Sequence, residues 1–117
     1  MADTPVFGLP EISQSQSSKY ITHNTALNMI EALIGPALSI TNSGPPGSPS
    51  EGDVYIVDVA SDGWAGADVN DIAHYYGSAW NFYAPFDGLM KYIVDDDELL
   101  VYTSAATVPA WTSLVAL

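Results

Sequence analysis

Two histidines, fourteen carboxylates and a scatter of serines are the side chains with which this chain could do chemistry. His23 and His74 lie far apart in sequence, and neither sits in a His-x-x-x-His spacing that sets two metal ligands on one helix face. His23, close to a helix start, reads as a capping or interface residue ahead of a catalytic one. The run Asp95 to Glu98 gathers carboxylate oxygens of the kind calcium takes, but it lacks the spaced Asp/Asn/Gly pattern of an EF-hand loop and reads as a solvated turn. No Gly-x-Ser-x-Gly elbow appears, and the glycines form neither a phosphate loop nor a dinucleotide fingerprint. The expectation is a protein that is not an enzyme and holds neither cofactor nor metal.

The densest feature is aromatic: Tyr75, Tyr76, Trp80, Phe82, Tyr83 and Phe86. Alternate residues of a strand face opposite sides, so Trp80 and Phe82 are expected in the core, with Tyr83 and one of Tyr75 or Tyr76 outward. Exposed rings of this kind stack on sugar faces, which makes Tyr75, Tyr76 and Tyr83 the candidate glycan-facing residues. Core and interface packing is the preferred use of the cluster, because a small β domain needs large rings to fill its interior.

The elements that must position these residues are one helix and a series of strands. From Thr22 to Leu38, the apolar residues Ala26, Leu27, Ile30, Leu33 and Ile34 recur at helical spacing, predicting one face that seeks a core. Thr22 or Asn24 is the expected cap, Gly35-Pro36 the stop, and about twelve residues the length, too short to hold alone in water. Before it, Asp3 to Ile12 reads as an extended arm, since Pro5, Gly8 and Pro10 bar a helix and make a poor central strand. The polar stretch Ser13 to Ser18 reads as a flexible link. After the helix, Thr41 to Ser50 is a proline-rich loop. Strands are then predicted at 54–57, 72–76, 80–83, 89–94, 98–102 and 110–115, with hairpin turns at Gly77-Ser78-Ala79, Pro85 to Gly88 and Asp95 to Asp97, and a loop around Trp64 between the first two. The predicted fold is α+β and β-dominant: an N-terminal arm over 1–19, then a single domain over 20–117, with one amphipathic helix packed on an antiparallel meander of about six short strands.

At 117 residues the chain is long enough for about one domain. No apolar run is long enough to span a membrane. The N-terminus lacks the basic and apolar segments of a secretory signal, so the chain is expected to stay in the cytosol where it is made or to leave by lysis. Without cysteine there is neither a disulfide nor a thiolate zinc site. Lys19 and Lys91 alone face the fourteen acids, for a formal net charge of −12. Nucleic acid requires clustered bases, so it is not an expected partner, and an anionic membrane surface is disfavoured likewise. The acidity favours solubility in a crowded or salty medium.

An ordered series of small motifs runs through nearly the whole chain: Leu9-Pro10, Gln16, Lys19, Asn24 with Ala26-Leu27, Pro46, Pro49-Ser50-Glu51-Gly52-Asp53 with Tyr55-Ile56-Val57, Gly63-Trp64-Ala65-Gly66, Ile72-Ala73, Trp80 with Phe82, and Pro85 with Gly88. In these residues the chain resembles an uncharacterised domain family of prophages and gene transfer agents, found in phage-related virion proteins and often heading longer fibre or spike chains. The resemblance implies a virion structural part: a surface spike, head fibre or tail-fibre component, with some members resembling head spikes concerned with host-surface polysaccharide. Leu89 stands where relatives often carry an aromatic residue, and Glu31 replaces a frequent Asp. The sequence ends without a fibre or receptor-binding extension, so an adaptor or decoration role is expected rather than a complete adhesin.

Together these readings give a phage structural protein made in the host cytoplasm and located in the virion. It is expected to form a homotrimer and to attach to capsid, vertex or tail subunits through its N-terminal arm and helix start. The attachment candidates are Val6, Phe7, Leu9, Pro10, Ile12, Gln16, Lys19, His23 and Asn24. Lys19 is expected to pair with a carboxylate of its own or of a neighbouring subunit. Symmetric assembly would account for an apolar arm with no partner in its own chain. The alternative from a different class is a carbohydrate-binding module that recognises host-surface glycan through exposed rings.

Overall fold

The helix α1 runs Lys19–Ile34, starting ahead of both expected caps, Thr22 and Asn24, and stops where Gly35-Pro36 forbids another turn. In the computed structural model, which describes residues 3–5, 8–40, 44–57, 64, 66–105 and 110–113, the chain divides into two units, 1–31 and 32–117.

In the first unit Ser18 ends the non-helical lead, its carbonyl accepting from the Ile21 amide at 3.2 Å. Thr22 and Asn24 therefore lie inside the helix and cap nothing. Thr22 is buried and accepts a hydrogen bond from Gln16 Nε2, while Gln16 Oε1 accepts from the Ser13 amide at 3.2 Å. One glutamine so turns the Ser/Gln stretch into an ordered lead to the helix. The described part of the arm is not extended either. Asp3 bridges Pro10 in antiparallel fashion, Thr4 N donates to Leu9 O at 2.9 Å, and the Thr4 hydroxyl accepts from the Leu9 amide at 2.7 Å. Gly8, at φ +78°, makes this reversal possible because a side chain there would strain the backbone.

The second unit holds six strands: β1 Val54–Ile56, β2 Ile72–Tyr76, β3 Ala79–Tyr83, β4 Met90–Ile93, β5 Glu98–Thr103 and β6 Ala110–Ser113. All six were predicted from alternation and turn residues, each within a residue or two where the ends are described. They do not form one meander. β1-β2-β3 and β4-β5-β6 are separate three-stranded antiparallel sheets. The break falls at Pro85 to Gly88, where Gly88 takes φ +91° and donates to Tyr102 O at 3.0 Å, sending the chain into a new sheet instead of back along β3. Asp87 fastens the corner by accepting from the Ser104 amide at 2.6 Å and the Ser104 hydroxyl at 2.8 Å. The β4–β5 hairpin turns through Asp95 to Asp97 as expected, with Asp97 left-handed at φ 52°.

A short strap joins the two sheets. Ala37 N donates to Tyr92 O at 2.9 Å and Val94 N to Ala37 O at 2.8 Å, on the β4 side. Leu38 N donates to Val54 O at 2.7 Å and Ile56 N to Ser39 O at 3.0 Å, on the β1 side. Three residues after the helix stop thus cover an edge of each sheet, groups that would otherwise face water or a foreign strand. The larger core lies between the sheets: Val54, Ile56 and Ile72 from the first, Leu89, Ile93 and Leu100 from the second, with Ala32 and Ala37 beside them. A smaller cluster of Val57, Trp64, Ala67 and Ala73 covers the other face of the first sheet.

Candidate functional site

The β2–β3 hairpin carries the aromatic residues, and its turn is held from outside. Gly77 and Ser78 both have positive φ, 67° and 62°, the twist that suits a two-residue hairpin. The Glu51 carboxylate accepts from both turn amides, Gly77 N at 2.9 Å and Ser78 N at 3.2 Å. Glu51 is presented by its own turn: Asp53 Oδ2 accepts from Ser50 N at 2.9 Å, and Gly52 takes φ +97° and donates to Tyr75 O at 2.8 Å. The Pro49-Ser50-Glu51-Gly52-Asp53 motif is therefore a clamp on the aromatic hairpin.

Register sorts the rings onto two faces. Tyr75 pairs with Trp80 and Ala73 with Phe82, so these four side chains share a face with Tyr55. Trp64, fully buried, sits over them. Its ring centroid lies 5.2 Å from Trp80 and 6.1 Å from Phe82, both edge to face, and Tyr55 meets Trp80 at 5.8 Å. Such tilted contacts are the favoured geometry between aromatic quadrupoles. Trp80 and Phe82 do pack inward as expected, but into this smaller cluster. Tyr75 is half-buried against Trp80 at 5.1 Å.

The opposite face corrects the expectation for Tyr83. It packs against the larger core instead of facing outward, and burial raises its phenol pKa above the ordinary value. Tyr76 alone of the three candidate glycan-facing residues is exposed, stacked parallel on the buried His74 ring at 6.3 Å. The three tyrosines do not form a common platform, because Tyr75 lies on the side of the sheet away from Tyr76 and Tyr83. No cavity of ligand size opens among the described residues. Nor does any group of three or more metal-ligating side chains among them converge on one point.

Of the attachment candidates, Val6 and Phe7 lie outside the described residues. Leu9 and Pro10 are half-buried in the closed turn and Gln16 is half-buried at the helix lead, while Ile12, Lys19, His23 and Asn24 are exposed.

Lys91 is the residue that sequence reading passed over. It stands on β4 between Leu89 and Ile93 in the inward register, 1% exposed, and its ammonium donates to the carbonyls of Ala32 and Gly35 at the end of α1. Those carbonyls have no partner within the helix, and a lysine suits them in both hydrogen bonding and charge. Burial also penalises the charged form and pushes the Lys91 pKa down to about 8. On β6, Trp111 Nε1 donates to Asn70 O at 3.0 Å, tying the second sheet to the loop that leads into β2.

A family model described as a protein of unknown function, DUF2793, matches residues 23–108, about three-quarters of the chain. The chain belongs to this family. The matched span takes in most of α1, the strap, the Glu51 clamp and five of the six strands, so the DUF2793 region of this chain contains both sheets except β6. No curated protein matches the chain.

Proposed function

We propose that this DUF2793 protein is a structural component of a phage particle, a capsid- or tail-attached spike, fibre or decoration/adaptor subunit that oligomerises and docks through its N-terminal region. The observation that carries the reading is the distribution of apolar surface. In a chain of net charge −12, Tyr20, Ile21, Leu27 and Ile34 on the helix, Met90, Tyr92 and Leu99 on the outer side of β4 and β5, and Val94 just after β4 are all exposed. Exposed apolar sets of this kind suit a protein whose working state is an assembly. Tyr55, Trp64, Tyr75, Trp80 and Phe82 pack on one another and Tyr83 on the larger core, which leaves Tyr76 as the exposed ring of the hairpin. The resemblance to phage-related domains supplies the setting, and the reading includes no catalytic residue, cofactor or nucleic acid.

Tyr76 favours a second reading, carbohydrate binding. Its exposed ring immediately precedes the Gly77-Ser78 turn that the Glu51 carboxylate holds, a stacking surface at the end of a braced hairpin. A glycan array separates the two. A structural subunit gives no reproducible hit, and a hit lost in Tyr76→Ala favours the module. The structural reading is tested by supplying the tagged chain in trans to cells producing the particles. The full chain should co-purify with particles and a chain lacking residues 1–18 should not; exclusion of both would count against docking.

A further inference from the structure

The corner between the two sheets is built on an Asp-Gly pair, Asp87-Gly88, and both residues are exposed. This dipeptide has a reaction of its own. The Gly88 nitrogen attacks Asp87 Cγ, the carboxyl hydroxyl leaves with the amide proton as water, and a five-membered succinimide closes. Water then opens the ring at either carbonyl, giving back aspartate or giving isoaspartate, in which the main chain runs through Cβ. The reaction needs a neutral carboxyl, because a carboxylate is a poor electrophile, and it favours glycine as the second residue, because no side chain crowds the attack. Apart from its chain neighbours, nothing lies within 4 Å of the place a Cβ of Gly88 would take.

The fold opposes each of these steps. Asp87 Oδ1 accepts from the Ser104 amide at 2.6 Å, and Ser104 Oγ lies 2.8 Å from both carboxylate oxygens. Hydrogen bonds to an ionised group favour that form, so the Ser104 amide and then its hydroxyl hold the carboxyl below its ordinary value and away from the reactive neutral state. The Gly88 amide is engaged as well, donating to Tyr102 O at 3.0 Å. We propose that Asp87-Gly88 is a site of succinimide closure and isoaspartate formation, and that Ser104 is the positioning residue that holds it unreacted in the folded chain. The consequence lies in the place. Isoaspartate adds one carbon to the main chain between β3 and β4, beside Gly88 N to Tyr102 O, Leu89 N to Phe86 O at 3.0 Å and Tyr102 N to Leu89 O at 2.9 Å, the bonds with which the second sheet begins.

The test ages the purified full chain in mildly acidic buffer and reads isoaspartate at positions 87 and 62 by peptide mapping with electron-transfer fragmentation. Asp62-Gly63, the other Asp-Gly pair of the sequence, is the internal reference. Position 87 should convert readily in the urea-unfolded chain and at a small fraction of that rate in the folded wild type. Ser104→Ala should speed folded-state conversion at position 87 by about threefold or more, the weight of one net hydrogen bond, and leave position 62 unchanged. Ser104→Thr, which keeps the hydroxyl, should age like the wild type. The proposal is overturned by an unfolded chain without isoaspartate at position 87, or by a folded wild type that ages at the unfolded rate. It is overturned equally if Ser104→Ala brings no acceleration, if positions 87 and 62 accelerate alike, or if Ser104→Thr ages like Ser104→Ala.

Discussion

Lys91 on β4 donates to the carbonyl of Ala32, a residue in the last turn of α1 and 59 positions earlier in the chain. With Gly35 as its second acceptor, it fastens the helix end with a charge that burial disfavours. The ordinary lysine pKa is 10.5 and the folded one is about 8, so between these values the unfolded chain binds more protons than the folded one. Stability should therefore rise with pH across that window, by up to about 3 kcal/mol at 1.36 kcal/mol per pH unit. The neutral amine keeps two N–H donors for its two acceptors. Urea unfolding of wild type and Lys91→Met at pH 7 to 10 checks this, because repulsion among the other charges cancels in the difference. The wild type should gain on the variant as pH rises. A constant or shrinking difference would show that Lys91 is not desolvated.

Glu51 tests the clamp on the aromatic hairpin. Glu51→Ala removes one carboxylate acceptor from two turn amides and should destabilise the chain by about 1–2 kcal/mol in urea unfolding. Asp96→Ala, in the exposed β4–β5 turn, should change stability by less than about 0.5 kcal/mol. Equal effects would mean that the clamp is a surface contact of no weight.

The tryptophans should differ. Trp64 is fully buried over the first sheet, and its truncation to alanine should remove about 3–5 kcal/mol, much of what a small domain possesses. Trp80, half-buried, should lose less, and Tyr76→Ala, exposed at the end of β2, should unfold close to the wild type. Thermal unfolding followed by tryptophan fluorescence ranks the three. A Trp80 loss larger than that of Trp64 would contradict the layering.

Asp87 offers a check by titration. The Ser104 amide, then its hydroxyl, hold the carboxyl below the ordinary value of 3.8. This stabilisation is present above the unfolded pKa and is lost as pH falls through the folded one. Carbon-detected NMR should find Asp87 titrating low and, in Ser104→Ala, still below the ordinary value, because the larger backbone contribution remains. A full return would assign the effect to the hydroxyl.

The strands were legible because alternation and turn residues are local signals, and Gly77-Ser78 and Asp95 to Asp97 turn where their chemistry requires. Two sheets in place of one were not, since Gly88 gives no sign of which strand it will pair with. The helix misled in a particular way. Leu27, Ile30 and Ile34 have helical spacing yet are exposed, because periodicity reports a shared face and not what covers it. Gln16 and Lys91 act through partners that only the folded chain supplies: a threonine two turns of chain away and a helix end remote in sequence. Lys91 did carry one signal. Counting by twos from Leu89 to Ile93 puts it on the inward side, but a buried lysine is rare enough to override such a count.

The most direct measurement of the central claim is quantitative mass spectrometry of gradient-purified, salt-washed particles from producing cells. The account predicts peptides of this chain co-sedimenting with capsid and tail proteins at a fixed copy number that is a multiple of a cyclic symmetry order. Peptides confined to the soluble lysate, with none in the particle fractions, would contradict it.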